Sequence, residues 1–68
     1  MNQSYENMKK FAREASDENL KFAFIALDKI IEKADLPETL AYTVVTAELE
    51  ERGLLVFDEV NFEYKLIG

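Results

Sequence analysis

The side chains of this 68-residue chain that could do chemistry are 14 carboxylates, 8 Lys and Arg, three Tyr and two Ser, because the sequence contains neither Cys nor His. That inventory removes disulfides, thiolate and imidazole metal sites, haem ligation and the Ser–His or Cys–His nucleophile pairs. Ser4 and Ser16 therefore have no His to activate them, and Ser16 is better placed as a helix cap. Carboxylates occur in pairs, with Glu48 and Glu51 three apart and Asp58, Asn61 and Glu63 around a turn, but neither set has the glycine-containing loop or the full ligand shell of a cation site. Glycosidase-like chemistry needs two carboxylates across a cleft, and a domain of this size has little volume left for one after building a core. With two glycines in all, no phosphate-cradling loop can be formed. The expectation is a protein without catalytic residues, bound cofactor or metal.

The charges carry more information. Residues 1–33 hold Lys9, Lys10, Arg13, Lys21, Lys29 and Lys33 against Glu6, Glu14, Asp17, Glu18, Asp28 and Glu32, so this part is neutral. The rest holds Arg52 and Lys65 against Asp35, Glu38, Glu48, Glu50, Glu51, Asp58, Glu59 and Glu63, so the whole net charge of -6 lies there. Phosphate contacts come from Lys and Arg, which makes the C-terminal half a poor partner for nucleic acid. It is suited to a basic or mixed protein surface, although acidity of this size also serves solubility alone. Lys9, Lys10 and Arg13 form the one basic patch, either a solvated helix face or an alternative nucleic-acid contact.

These groups must be positioned by a small fold. Tyr5, Met8, Phe11, Ala12 and Ala15 recur at helical spacing and predict a first helix. Ser16, followed by Asp17 and Glu18, marks the start of a second, over residues 17–34. Leu20, Ala23, Phe24, Leu27, Ile30, Ile31 and Ala34 give that helix its core face. Phe22 and Ile25 widen the stripe, so the helix is expected to sit centrally, covered from two sides, unless one of those two residues meets a partner. Asp35, Pro37 and Glu38 form a capping-box-like start for a third helix that reaches Arg52 and stops at Gly53. Its broad apolar arc leaves Thr39, Thr43, Thr46 and Glu50 on a polar strip, and permits either one continuous helix or two joined near Tyr42 and Thr43.

From Leu54 the apolar period shortens to two. Residues 54–57 and 62–67 read as a hairpin closed by a loop at 58–61, which would set Phe57 opposite Phe62 and Leu55 opposite Tyr64, with their shared face on the helices. The fold class is α+β, three helices followed by a C-terminal two-stranded hairpin in a single domain spanning 1–68. The longest apolar run, residues 22–27, falls far short of the roughly 20 needed to span a bilayer, and the start is polar, so a cytoplasmic protein is expected. A core this small is commonly supplemented by homodimer formation.

That order of elements, with residues 44–55 leading through Arg52, Gly53, Leu54 and Leu55 into a hairpin ending in Tyr64, Lys65 and Leu66, resembles the recognition-helix-into-wing passage of winged-helix transcription regulators. The resemblance covers about half the chain. It implies a DNA-binding dimer, in which Lys9, Lys10 and Arg13 would have to compensate for an acidic recognition helix and a short acidic wing loop. In general character the acidic half also resembles small phage inhibitors of restriction and CRISPR systems, whose carboxylates imitate phosphates. The sequence thus supports first a small non-enzymatic regulator or inhibitor, phage- or mobile-element-encoded. Its expected protein-binding residues are Tyr42, Thr46, Glu50, Asp58 and Glu59.

Overall fold

The computed structural model describes residues 3–67. Its elements are α1 (Gln3–Glu14), α2 (Asp17–Ile30), α3 (Leu36–Glu51), β1 (Leu55–Asp58) and β2 (Glu63–Leu66), an α+β fold of three helices and an antiparallel hairpin. Helix boundaries follow the capping chemistry. The Ser16 hydroxyl accepts a hydrogen bond from the Asn19 N–H at 3.2 Å and starts α2 two residues after α1 ends. Asp35 is the extended N-cap of α3, its N–H donating to the Glu38 carboxylate at 3.1 Å, with Pro37 in the first turn. At the other end Gly53 adopts φ 76°, and the N–H groups of Gly53 and Leu54 donate to the carbonyls of Glu50 and Leu49 at 3.0 and 2.9 Å. This is a Schellman ending. Between those caps α3 is one continuous helix.

The second helix is shorter than the apolar periodicity predicts. It gives way after Ile30 to a turn of 3-10 helix, Ile31–Lys33, because Ala34 and Asp35 must be extended to present the N-cap of α3. The expectation that α2 is covered from two sides is also corrected, since Phe22 is 72% exposed and Ile25 is exposed as well. Three helices and a hairpin spanning 35 × 26 × 18 Å supply only about two layers, so α2 packs chiefly on α3 and leaves Phe22 and Ile25 uncovered. In α1 the same shortage narrows the buried stripe to Tyr5, Met8, Ala12 and Ala15, leaving Phe11 78% exposed.

The core is correspondingly small: Ala12, Leu20, Phe24, Val44, Val45, Leu49 and Leu55, with Leu49 fully buried. Both α1 and α2 pack on α3, and they meet each other little. Arg52, the C-cap residue of α3, fastens this arrangement. Its guanidinium donates to Glu48 at 2.9 Å, to Asp17 at 2.7 Å, and to the carbonyls of Ala12 and Arg13 at 3.0 and 3.1 Å. Both carbonyls belong to the last turn of α1, where a cation is favoured; that of Ala12 also accepts from the Ala15 N–H at 3.2 Å.

The hairpin register differs from the expected one by two residues. Phe57 pairs with Tyr64 and Leu55 with Leu66, so the loop is residues 59–62. The cause is Asp58, whose carboxylate accepts from the Val60 N–H at 2.9 Å and the Asn61 side chain at 2.8 Å, turning the chain after the strand. Because side chains alternate with period two, a shift of two preserves the faces: Leu55, Phe57, Tyr64 and Leu66 still lie together. Only part of that face rests on the helices. Leu55 is buried, whereas Phe57 is 41% exposed and Phe62 80%.

Candidate protein-binding surface

An aromatic series runs from the core to the hairpin tip. Phe24 stacks on Tyr42 at 5.7 Å and meets Tyr64 edge-on at 6.2 Å; Tyr64 lies 5.1 Å from Phe57, and Phe57 lies 5.7 Å from Phe62. The Tyr42–Tyr64 contact at 6.4 Å shows that the hairpin doubles back along α3 from its C-terminal end. Between the Gly53 corner and the tip runs β1, whose four residues at about 3.3 Å each span about 13 Å. Glu50 and Glu59 consequently stand at opposite ends of the hairpin, and the structure does not bring them onto one site.

The other expected contact residues divide by what holds them. Thr46 is 6% exposed, so its place on an exposed polar strip is corrected: its hydroxyl donates to the Thr43 carbonyl at 2.9 Å, which allows the side chain to pack inward as a valine would. Tyr42 is half-buried in the aromatic stack, and its hydroxyl donates to the Asp28 carboxylate at 2.9 Å. Burial, with the hydrogen bond and charge of Asp28 adding to it, pushes this hydroxyl up to about 12. Asp58 organises the tip. Hydrogen bonds from Asn61 and then Lys65, whose Nζ is 3.1 Å away, hold its carboxyl below the usual aspartate range. Glu50 and Glu59 are exposed and in no ion pair among the described residues.

Around Glu59 the structure gathers residues that sequence reasoning did not single out. Val60 is 91% exposed and lies in the same loop as Phe62, whose ring meets Phe57 at 5.7 Å, with Asp58, Glu59 and Glu63 as their chain neighbours. Phe62 has φ 57°, a left-handed conformation that costs a bulky L residue about 1–2 kcal/mol and that turns usually give to Gly or Asn. A legible signal was Val60, an apolar residue inside a loop of acids.

The basic patch is partly spent inside the molecule. The Lys9 ammonium lies 5.3 Å from the Tyr5 ring centre, and Lys9 and Arg13 line a shallow cleft of about 130 Å³ that also holds Glu48 and Glu51. Lys10 is exposed. Among the described residues no group of three or more carboxylates is placed to hold a metal ion, and no helix is long and apolar enough to cross a membrane. Comparison with known protein families, with curated proteins and with solved structures finds no match to this chain.

Proposed function

We propose that this protein is a small non-enzymatic regulator or inhibitor that inserts its hairpin tip into a larger protein with a basic or mixed surface, in the cytoplasm of a bacterial or phage-infected cell. The observation that carries this is the tip itself, where Val60 and Phe62 are 91% and 80% exposed, the Phe62 ring meets Phe57 at 5.7 Å, and Glu59 and Glu63 are their immediate chain neighbours. An apolar centre with a charged rim is the composition of a protein-recognition surface, the aromatic acting as anchor and the carboxylates steering the encounter. The left-handed backbone at Phe62 supports the same reading, since strain of this kind persists where the side chain it displays is used.

The alternative is a dimeric winged-helix DNA-binding regulator. It draws on the order of elements, α3 running through Gly53 into a hairpin, and leaves phosphate contact to Lys9, Lys10 and Arg13. Two of those face Glu48 and Glu51 across one cleft, which weakens it.

Capture from lysate at low and high salt, with protein and nucleic acid both assayed, compares the wild type with Glu59→Lys at the tip and Glu50→Lys at the far end. A protein target whose purified form binds the wild type, loses affinity with Glu59→Lys and tolerates Glu50→Lys supports the proposal. DNA retained by the wild type, and held more tightly by both variants, overturns it in favour of the winged-helix reading.

A further inference from the structure

A second site, sharing no residue with the hairpin tip, lies between α1 and α2. Because α1 and α2 each rest on α3 and barely on one another, an apolar groove of about 330 Å³ remains between them. Its floor is the core itself, Ala12, Leu20, Val44 and Val45, with Met8 along the wall. Phe11 lines its rim at 78% exposed. An apolar cavity of about 150 Å³ admits benzene, so this groove has room for a phenyl ring and more.

We propose that the groove is a self-association surface, closed by a second copy of this chain related by a two-fold axis, with Phe11 of each copy seated in the groove of the other. Three observations select a second copy as occupant. The first is area. The molecule exposes 5057 Å², whereas a compact monomer of this mass exposes about 4,400 Å². The excess of roughly 650 Å², to which Phe11 and Phe22 contribute together with Val60 and Phe62 at the tip, is of the order of the ~800 Å² that one partner contributes to a standard interface.

The second is net charge. Residues 1–33 balance six cations against six carboxylates, while the other half carries the net charge of -6. Contact through α1 and α2 joins two neutral faces and keeps the acidic halves apart; contact through the hairpins would set the acidic halves together.

The third is local pattern. Glu6, Lys10 and Glu14 are exposed at four-residue intervals along α1 beside the groove. Antiparallel apposition of two α1 helices, displaced by a turn, puts Lys10 of each copy opposite a carboxylate of the other. Such self-complementarity is what a two-fold contact requires. The contact uses no residue of the hairpin tip, and it does not depend on what target the tip takes.

Sedimentation velocity and light scattering over a wide concentration range test this on the intact chain. The wild type is expected to run at twice 7.9 kDa, and Phe11→Glu to raise the dimer dissociation constant about thirtyfold or more. Because Phe11 is mostly exposed, that variant keeps the helical circular dichroism and the low-concentration melting temperature of the wild-type monomer. Glu59→Lys at the tip leaves the dimer intact. A wild type that stays monomeric at millimolar concentration overturns the proposal, including one whose groove takes up an apolar dye or a heterologous peptide instead. So does a dimer that survives Phe11→Glu, or one broken by the tip variant. Failure here leaves the tip proposal standing, since that is read by target binding alone.

Discussion

Replacing Phe62 with Asn separates recognition from folding, and the structure sets the size of each effect. Phe62 holds φ 57°, where Asn is among the few residues other than Gly that sit readily. Relief of the left-handed conformation returns about 1 kcal/mol. Against this, the side chain is 80% exposed, so a fifth of its roughly 200 Å² is covered. At about 25 cal/mol per Å² that cover contributes about 1 kcal/mol, and the tilted contact with Phe57 adds up to about 1 more. The terms oppose, and Phe62→Asn changes the unfolding free energy by no more than about 1 kcal/mol, a melting shift within about 8 °C for a domain of this length. Thermal and urea unfolding followed by circular dichroism at fixed concentration measures it, beside Leu55→Ala as the contrast. Leu55 pairs along the same face but is buried, and its truncation costs about 2–5 kcal/mol. Affinity for the target falls about thirtyfold or more with Phe62→Asn, as expected for an anchor residue. A melting loss beyond about 15 °C would show Phe62 to be part of the core, against the reasoning above. Unchanged target affinity would remove it from the binding surface.

Three further outcomes follow from the same structure. Gly53→Ala is destabilised by about 1 kcal/mol although an added Cβ meets nothing within 4 Å, because the cost is conformational at φ 76°; Gly53→Asn loses less, and denaturant midpoints rank the three. Leu49→Ala, at the only fully buried large side chain among the described residues, costs about 2–5 kcal/mol, much of the stability a domain this small has, and leaves the chain partly unfolded at 37 °C by circular dichroism. Tyr42 keeps its proton in the fold up to about pH 12, while the unfolded chain releases it near 10. Its contribution to stability is therefore complete below about pH 10 and is lost between about 10 and 12; tyrosinate absorbance resolves this late ionisation, and Asp28→Asn moves it down.

The chain states its helices openly because capping is local. Ser16, Asp35, Pro37, Glu38 and Gly53 act on residues within four positions of themselves, and each stands where its chemistry predicts. Burial is not local in this sense. The apolar spacing of α1 and α2 names Phe11 and Phe22 as well as Ala12 and Leu20, and only the number of layers available decides which pair goes inside. The register of the hairpin turned on whether Asp58 belonged to the loop or ended a strand, which its three hydrogen bonds to Val60 and Asn61 decide. For the candidate site, acidity marked Glu59 correctly as exposed. The exposed apolar trio around it was concealed because Phe57 and Phe62 read as core residues in an alternating strand.

Arg52 links two parts of the molecule that have been described separately. Its partners Asp17, Ala12 and Arg13 lie 35 to 40 residues earlier in the chain, and α1 is held to the rest through α3 and this one guanidinium. A helix fastened so can lift away by itself, and its amides exchange through that local opening before the remainder unfolds. Lifting α1 also dismantles one wall of the groove between α1 and α2. On the proposed self-association the two equilibria are coupled by linkage: a second copy bound there would hold α1 down, and whatever loosens α1 would weaken the pair. Arg52→Lys, which keeps the charge and loses the fork, lies outside the groove and touches neither Phe11 nor Phe22, yet it makes assembly depend on how firmly α3 grips the first helix.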